Sequence, residues 1–373
     1  MTHRNLCALI ALLGACLPVP ALAQFELGPE IIRAQTLPPD AAGKLDQLVT
    51  ALTNLDNDDP ALIQRARNSL LAPLRDRQAS VAFRTELSGR TVPRLRELSK
   101  NQRDFVAINA LRIAGETATA DSAAVLTDAL AEKRLSVRYA AVAGIGRTFD
   151  AIADANPAIN PDRTLALIDR IAGIIESEPD ADVLDAAVRA LMSARRIERP
   201  NFEPVRDRAF ATLTRGVSAR LQKMGGGAPE LRSLAAFVRA GKAVRDAIIQ
   251  NNPRFKLADA DVKAGTELAG RLVGFVVRRI RQGDLAVIAP GDDPAVVQAK
   301  RDRREPAALA LAVSETIVAL ASAATPNRYS EQGLADELRK TSIEGDNAFL
   351  QKSLSLLNAV KGLGIDADLL AGK

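Results

Sequence analysis

Residues 136–146 read SVRYAAVAGIG, and eight of these eleven residues are Ala, Gly, Val or Ile. A helix that is apolar on nearly every side must be buried on nearly every side. Ala and Gly also let the backbone of a neighbouring helix approach closely. The stretch therefore predicts a helix that is pressed between other helices.

Two similar runs flank this one, DFVAINALRIAG at 104–115 and DADVLDAAVRALM at 180–192. Val137 and Val183 are 46 residues apart, and Ala141 and Ala187 have the same separation. Helices rich in Leu and Ile lie between these runs. Such an alternation is typical of repeated helical pairs, in which each pair buries its apolar face against its neighbours.

The middle run resembles the start of the second helix in HEAT repeats. The resemblance lies in Val137-Arg138, Ala140-Ala141 and Ala143-Gly144-Ile145-Gly146. It covers residues 100–195 and extends more loosely over 41–222; in the third unit Leu184 stands where the family has Arg. The resemblance implies an α-solenoid in which Arg138 braces the preceding turn, with Glu132 at the acidic position. Residues expected to make repeat-stacking contacts are Val137, Arg138, Ala140, Ala141, Gly144, Val183 and Ala187.

Composition favours an all-α fold. Aromatic residues make up 3% of the chain, and there is no Trp. A core without large rings suits closely packed helices better than a β-sandwich. We expect an extended N-terminal segment at 24–40, the HEAT-like region at 41–222 and a Gly-rich linker at 223–229. A helical bundle, or a degenerate continuation of the solenoid, is expected over 230–373.

The first 23 residues have the features of a secretory signal peptide. Arg4 precedes an apolar stretch, and Ala21-Leu22-Ala23 has the small-x-small pattern of a cleavage site. We therefore expect an exported protein, periplasmic or secreted. An alternative is open, because Leu13-Gly14-Ala15-Cys16 resembles the lipoprotein signal, in which Cys16 would be lipidated and the protein anchored to a membrane.

Export would remove His3, Cys7 and Cys16, which are the only His and Cys residues of the chain. The mature protein then lacks the groups for a Ser-His-Asp triad, a Cys nucleophile, a His- or Cys-ligated metal or a disulfide. Carboxylate acid–base chemistry remains possible. We expect no cofactor and no metal site. We expect no nucleic-acid partner, because the net charge is only +5 and no aromatic ladder is present.

Two segments of the C-terminal half are considered for a functional role, an arginine-bearing helix and a long apolar run. Arg271, Arg278 and Arg279 lie on one predicted helix and are candidates for contact with an anion or a partner. The run AALALAVSETIVALASAA at 307–324 is strongly apolar, but Glu315 at its centre argues against a membrane span. We expect a buried helix there, with Glu315 at its edge.

These observations favour an interaction scaffold of the bacterial cell envelope that performs no catalysis. Its partner would be another protein or an envelope polymer, bound on the helical-repeat surface. One alternative is a carboxylate-dependent hydrolase or lyase on an α-helical scaffold. Another is a Cys16-lipidated envelope lipoprotein with the same scaffold role. The sequence leaves the oligomeric state open.

Overall fold

A computed structural model describes residues 27–365 except 157, 225–227, 251–256, 324 and 327. The predicted signal segment 1–23, including Cys16, lies outside the described residues. Within the described ranges the secondary structure is helical and contains no strand, so the expectation of an all-α protein is confirmed.

Sixteen α-helices occur in the described residues. They are α1 (Pro29–Ile32), α2 (Ala41–Val49), α3 (Pro60–Leu74), α4 (Val81–Leu98), α5 (Asp104–Thr117), α6 (Ala120–Ala129), α7 (Leu135–Asp154), α8 (Pro161–Ser177), α9 (Ala181–Arg195), α10 (Glu203–Ala211), α11 (Val217–Lys223), α12 (Ala228–Ile249), α13 (Asp259–Arg281), α14 (Pro294–Ser322), α15 (Leu334–Arg339) and α16 (Ile343–Gly362). A 3₁₀-helix, Thr50–Asp56, follows α2, and a π-helical segment, Thr212–Gly216, joins α10 to α11.

The helices form two layers, and successive helices alternate between them. Layer one consists of α3, α5, α7, α9, α12 and α14, and each of these packs on the next. Layer two consists of α4, α6, α8, the α10–α11 pair and α13, which also contact one another in order. Helices α15 and α16 pack against the last members of both layers. Each helix of layer one is thus enclosed on several sides.

One part of the predicted domain organisation differs in the structure. The segment expected to be extended, 24–40, contains the short helix α1, whose Ile31 and Ile32 are buried in the core. Across the predicted linker at 223–229, α9 packs directly on α12. The buried apolar side chains form one cluster that includes residues on both sides of this linker.

Helix starts follow local capping chemistry. Asp59 accepts a hydrogen bond of 2.8 Å from the backbone N–H of Ala61, and Pro60 occupies the first turn of α3. Asn160-Pro161 and Asp293-Pro294 begin α8 and α14 in the same way. A side-chain oxygen satisfies an otherwise free N–H at these positions, and Pro has no N–H to satisfy.

The closest helix contacts in layer one depend on small residues. A Cβ atom added to Gly115 of α5 would lie 2.6 Å from the carbonyl oxygen of Gly144 in α7. A Cβ atom added to Gly146 of α7 would lie 3.4 Å from the Cα of Ala190 in α9. The small-residue runs therefore bring α5, α7 and α9 together.

Arginine side chains connect the turns of successive helical pairs. Arg103 donates to the carbonyl oxygens of Asp56 and Asn57 at 2.7 and 2.9 Å. Arg134 donates to that of Asn101 at 2.7 Å, and Arg220 donates to that of Glu176 at 2.6 Å. Carbonyl groups near helix ends lack partners within their own helix, and a guanidinium group offers five donors to satisfy them.

Arg138 plays a related part at the start of α7. It donates to the carbonyl oxygens of Glu132 and Lys133 in the preceding turn, at 3.1 and 3.2 Å. Its guanidinium also pairs with the buried carboxylate of Glu178 at 2.9 Å. Arg138 thereby links the turn before α7 to the turn before α9.

Arg84 of α4 is a cation in the interior, with 1% of its surface exposed. It donates to the carbonyl oxygens of Leu74, Glu116 and Thr117, at the ends of α3 and α5. Burial lowers the pKa of Arg84 to about 10, although Glu116 and Asp76 act in the opposite direction. The partial negative charge at the two helix ends stabilises the guanidinium.

Helix α14 contains residues 307–322 of the apolar run, and among the described helices it is the one long and apolar enough to cross a membrane by length and composition. It packs between α12 and α13, and 56% of its apolar window is buried. Glu315 is 3% exposed, so its expected position at the helix edge is wrong. Its carboxylate accepts hydrogen bonds from the Tyr329 hydroxyl and from the backbone N–H groups of Gln332 and Leu334. These bonds hold the segment before α15 against α14.

Acidification is expected to destabilise the fold. Arg103 lowers the pKa of Asp56, Arg339 lowers that of Glu305, and Lys340 with Lys352 lowers that of Glu337. A carboxyl group whose pKa is lower in the folded state stabilises it above the unfolded-state pKa, and this contribution is lost as the pH falls through the folded-state pKa. We expect the melting temperature to be nearly constant from about pH 7 to pH 5, and to fall below about pH 4.5.

Thermal melts followed by circular dichroism at a series of pH values test this expectation. Glu337→Gln serves as the comparison, because it removes one of the titrating groups. Its melting temperature should be lower than that of the unmodified protein at pH 7, and the difference should shrink at pH 3. A melting temperature that rises on acidification would contradict the ion-pair account.

Candidate binding groove

A groove runs across layer one from α7 to α14. It consists of three cavities of about 680, 520 and 440 Å³. The first and second share Tyr139 and Arg189, and the second and third share Arg239. The three cavities therefore adjoin, and together they form a groove that crosses α7, α9, α12 and α14 and begins beside the start of α5.

The middle cavity carries an excess of positive charge. Its lining includes the cations Arg147, Arg189, Arg196 and Arg239 and one acidic residue, Asp150. Asp185 of α9 pairs with Arg189 at 2.8 Å and with Arg239 of α12 at 2.7 Å. Arg196 pairs with Asp150 at 3.2 Å. These pairs position the cations at the surface while leaving them partly exposed.

Apolar side chains are exposed in the first cavity, at the end of the groove beside α5 and α7. Leu135 and Tyr139, one turn apart on α7, are 43% and 36% exposed and line the first cavity. Phe105 at the start of the neighbouring α5 is 45% exposed. Large apolar groups that are exposed together mark binding surfaces more often than isolated ones do.

The carboxyl groups of the groove are poorly suited to acid catalysis. A general acid needs a pKa raised towards neutrality. In the third cavity, Glu305 has its pKa lowered by the hydrogen bond from Arg339. Asp302 of the same cavity accepts a hydrogen bond of 2.7 Å from Gln298. Asp104 in the first cavity is paired with Arg134 at 3.0 Å.

Metal ligation has no evident site in the part of the chain that the structure describes, because no group of three or more His, Cys, Asp or Glu side chains converges there. Tyr329 has a markedly altered acidity. Burial and the neighbouring Glu315 raise its pKa well above the usual value. Tyr329 is buried beside α14 and does not line the groove.

The arginines singled out from the sequence in α13 lie apart from this groove. Arg279 is 1% exposed, pairs with Asp284 at 2.9 Å and stacks over the ring of Phe275 at 4.6 Å. Arg271 is 9% exposed and pairs with Glu267 at 2.7 Å. The expectation of a surface contact is therefore corrected for Arg279 and Arg271, because packing encloses both guanidinium groups.

Arg278 is half-buried and donates to the carbonyl oxygen of Leu221 at 3.3 Å. Burial, together with Arg279 and Arg271, lowers the pKa of Arg278. This arginine joins α13 to α11, which is a structural contact. Its exposed fraction still faces solvent on layer two.

The residues expected to stack repeats lie in the core of layer one. Val137, Ala141, Val183 and Ala187 are fully buried, and Ala140 is 6% exposed. A Cβ added to Gly144 would lie 2.5 Å from a methyl group of Leu126. The polar residues of the same helices, such as Tyr139 and Arg147, face the groove instead.

Sequence reasoning missed the groove because its residues come from helices far apart in the chain. The sequence did contain one signal of the cations on this side of layer one. Arg112 precedes the run Ile113-Ala114-Gly115, and Arg147 follows Gly144-Ile145-Gly146. A cation therefore recurs beside the small-residue contact of two successive layer-one helices.

No protein-family model matches the chain, and no curated protein matches it. Two crystal structures of engineered proteins show a weak similarity, each at 13% sequence identity. The first has a TM-score of 0.30 and covers 72% of this chain and 98% of its own. The second has a TM-score of 0.29 and covers 92% of this chain and 90% of its own. Scores this low carry no argument about fold or function.

Proposed function

We propose that this protein is a non-catalytic interaction scaffold with a HEAT-like α-solenoid architecture that binds an acidic segment of a partner protein along the groove. The observation that carries the proposal is the row of adjoining cavities across α7, α9, α12 and α14. Stacked helical pairs commonly bind partners on extended surfaces of this kind.

The groove chemistry supports a polypeptide partner. Tyr139 and Leu135 offer apolar and aromatic contact, and Tyr and Arg are enriched where binding energy is concentrated. The four arginines of the middle cavity complement acidic side chains. The alternative of a carboxylate-dependent hydrolase has less support, because Glu305 and Asp104 are held in ion pairs.

The place of action that we propose is the cell envelope. This part of the proposal rests on the signal-like segment 1–23, with Arg4 before its apolar stretch and Ala21-Leu22-Ala23 at its end. The mass of the N-terminal peptide from purified protein distinguishes cleavage after Ala23 from lipidation at Cys16. An intact N-terminus starting at Met1 would contradict export.

Co-purification tests the binding proposal. The protein is tagged after Lys373, and proteins recovered from the envelope fraction of the producing cells are identified by mass spectrometry. We expect a partner whose recovery falls at least tenfold with Tyr139→Glu, which puts a negative charge in the groove. Val81→Glu is the matched control, because Val81 is 47% exposed on α4 in layer two.

The proposal predicts unchanged recovery with Val81→Glu. Equal recovery of every partner with Tyr139→Glu and with the unmodified protein would contradict a role for the groove. Circular dichroism melts of both variants show whether either change affects the fold. Both positions are exposed, so we expect melting temperatures within a few degrees of the unmodified protein.

A further inference from the structure

A row of arginines lies on layer one beside the groove. It consists of Arg67 of α3, Arg112 of α5 and Arg147 of α7, three helices that pack in order. All three residues are partly exposed. Arg147 also lines the middle cavity, so the row begins where the groove passes α7.

The positions of Arg67 and Arg147 follow from their contacts with α5. Arg67 donates to the side-chain oxygen of Asn109 at 3.1 Å. Arg147 reaches the carboxylate of Glu116 at 3.9 Å. Asn109, Arg112 and Glu116 are three and four residues apart and therefore share one face of α5. Arg112 thus lies between the two other arginines.

Arg112 is the least compensated member of the row. Within the described part of the chain it makes no ion pair, and its Nε is buried without a hydrogen-bond partner. Burial and then the proximity of Arg112 lower the pKa of both Arg67 and Arg147. Arg75 further lowers the pKa of Arg67, whereas Glu116, Tyr139 and Asp150 act in the opposite direction on that of Arg147.

A cluster of like charges with one weak carboxylate contact is unfavourable in the free protein. Like charges at close range destabilise each other, and a buried donor without a partner costs free energy. An anionic ligand that pairs with the guanidinium groups removes both penalties, because charge-assisted bonds to Arg are strong and often bidentate. The arrangement therefore suits a bound anion.

We propose that Arg67, Arg112 and Arg147 bind consecutive carboxylate groups of an acidic peptide segment. This inference rests on the proposed function, since it assigns part of the same partner segment to the row. Asn109 and Glu116 are seven residues apart, so the row extends for roughly 10 Å along α5 at 1.5 Å per residue. A row of this length fits several carboxylates better than one compact phosphate, and its Arg147 end joins the groove.

Binding of fluorescein-labelled hexaglutamate, followed by fluorescence anisotropy at low ionic strength, tests the inference on the purified full chain. We expect binding that Arg112→Gln weakens at least tenfold and Arg112→Lys weakens less. Arg163→Gln is the matched control. It also removes one positive charge, and Arg163 is an exposed residue of α8 in layer two. Its affinity should stay within twofold of the unmodified protein.

Competition with unlabelled anions separates the sources of negative charge. Hexaglutamate should displace the probe, whereas hexaglutamine should not. Displacement by tripolyphosphate at a lower concentration than hexaglutamate would assign the row to phosphate and overturn the proposal. Equal binding by the unmodified protein and by Arg112→Gln would also overturn it.

Melting temperature gives a readout that a purely structural role of Arg112 would not produce. Without ligand, Arg112→Gln should melt at the same temperature as the unmodified protein or higher, because it relieves repulsion. With hexaglutamate, the unmodified protein should gain stability and the variant should not. A variant that melts lower without ligand, and binds the probe as well as the unmodified protein, would show a structural arginine only.

The two proposals fail in different ways. If Arg112→Gln recovers the cellular partner as well as the unmodified protein, and Tyr139→Glu does not, the groove stands and the arginine row is not part of it. If hexaglutamate binds through Arg112 while no partner depends on Tyr139, the row stands and the groove proposal falls.

Discussion

Replacement of Arg304 by methionine is expected to lower the free energy of unfolding by about 3–5 kcal/mol, the usual effect of removing one partner from a buried ion pair. Arg304 is 1% exposed and pairs with Asp346 of α16 at 2.6 and 2.9 Å. It also donates to the carbonyl oxygens of Leu285, Ala286 and Leu338. Methionine fills much of the space but leaves these acceptors without a donor.

Urea denaturation followed by circular dichroism measures this loss. Arg303→Met is the control, since Arg303 is the adjacent residue of α14 and is exposed; its effect should stay within about 0.5 kcal/mol. The double variant Arg304→Met with Asp346→Asn should be more stable than the sum of the single effects predicts, because the uncompensated charge is gone. A loss of similar size in both arginine variants would contradict the interior role of Arg304.

Replacement of Gly115 by alanine is expected to destabilise the protein by about 1–3 kcal/mol through overpacking. The new Cβ would lie 2.6 Å from the carbonyl oxygen of Gly144 and 2.9 Å from its Cα. Both are backbone atoms, so α5 and α7 would have to separate. This displacement would disturb the packing of α5 against α7, which are successive helices of layer one.

The same substitution at Gly173 should have the opposite sign. Gly173 is an exposed residue of α8, and no atom lies within 4 Å of a Cβ placed there. Alanine restricts the unfolded chain and is a better helix former, so we expect a gain of about 0.5–1 kcal/mol. Calorimetric melts of the two variants compare them directly. Equal gains at both positions would show that α5 and α7 do not meet closely.

Layer one was the part of the fold most open to prediction from sequence. Runs such as 136–146 are apolar on nearly every side, and burial of most of the helix surface satisfies them. Helix starts were equally readable, because Asp59-Pro60 combines a cap with a residue fixed for the first turn. Local chemistry determines both features, so no knowledge of distant residues was needed.

Prolines show where local reasoning gave the wrong boundary. The pattern predicts two helices near 79–88 and 92–99, but α4 continues from Val81 to Leu98 with Pro93 inside it. A proline in a helix removes one hydrogen bond and disfavours the preceding turn. Leu87, Val92, Leu95 and Leu98 are buried on both sides of Pro93, and this tertiary packing outweighs the local preference.

The buried charges were not predictable from the sequence. Arg304 and Arg84 occur in stretches that also suit a solvated helix face, and Glu315 lies in an apolar run that does not show its partners. These partners lie as far as 42 residues away in the chain. The arginine row has the same origin, since Arg67, Arg112 and Arg147 meet only when α3, α5 and α7 pack in order. Side-chain chemistry alone cannot show such convergence.

Site-specific photocross-linking is the most direct test that the groove binds a partner. A photoreactive phenylalanine analogue replaces Tyr139 in the groove or, as the control, Val81 in layer two; the two positions are 36% and 47% exposed. Cells carrying either protein are irradiated, and cross-linked species are identified by mass spectrometry. We predict one discrete adduct with an acidic partner protein from position 139 and none from position 81. Adducts of the same identity and yield from both positions, or from neither, would contradict the account.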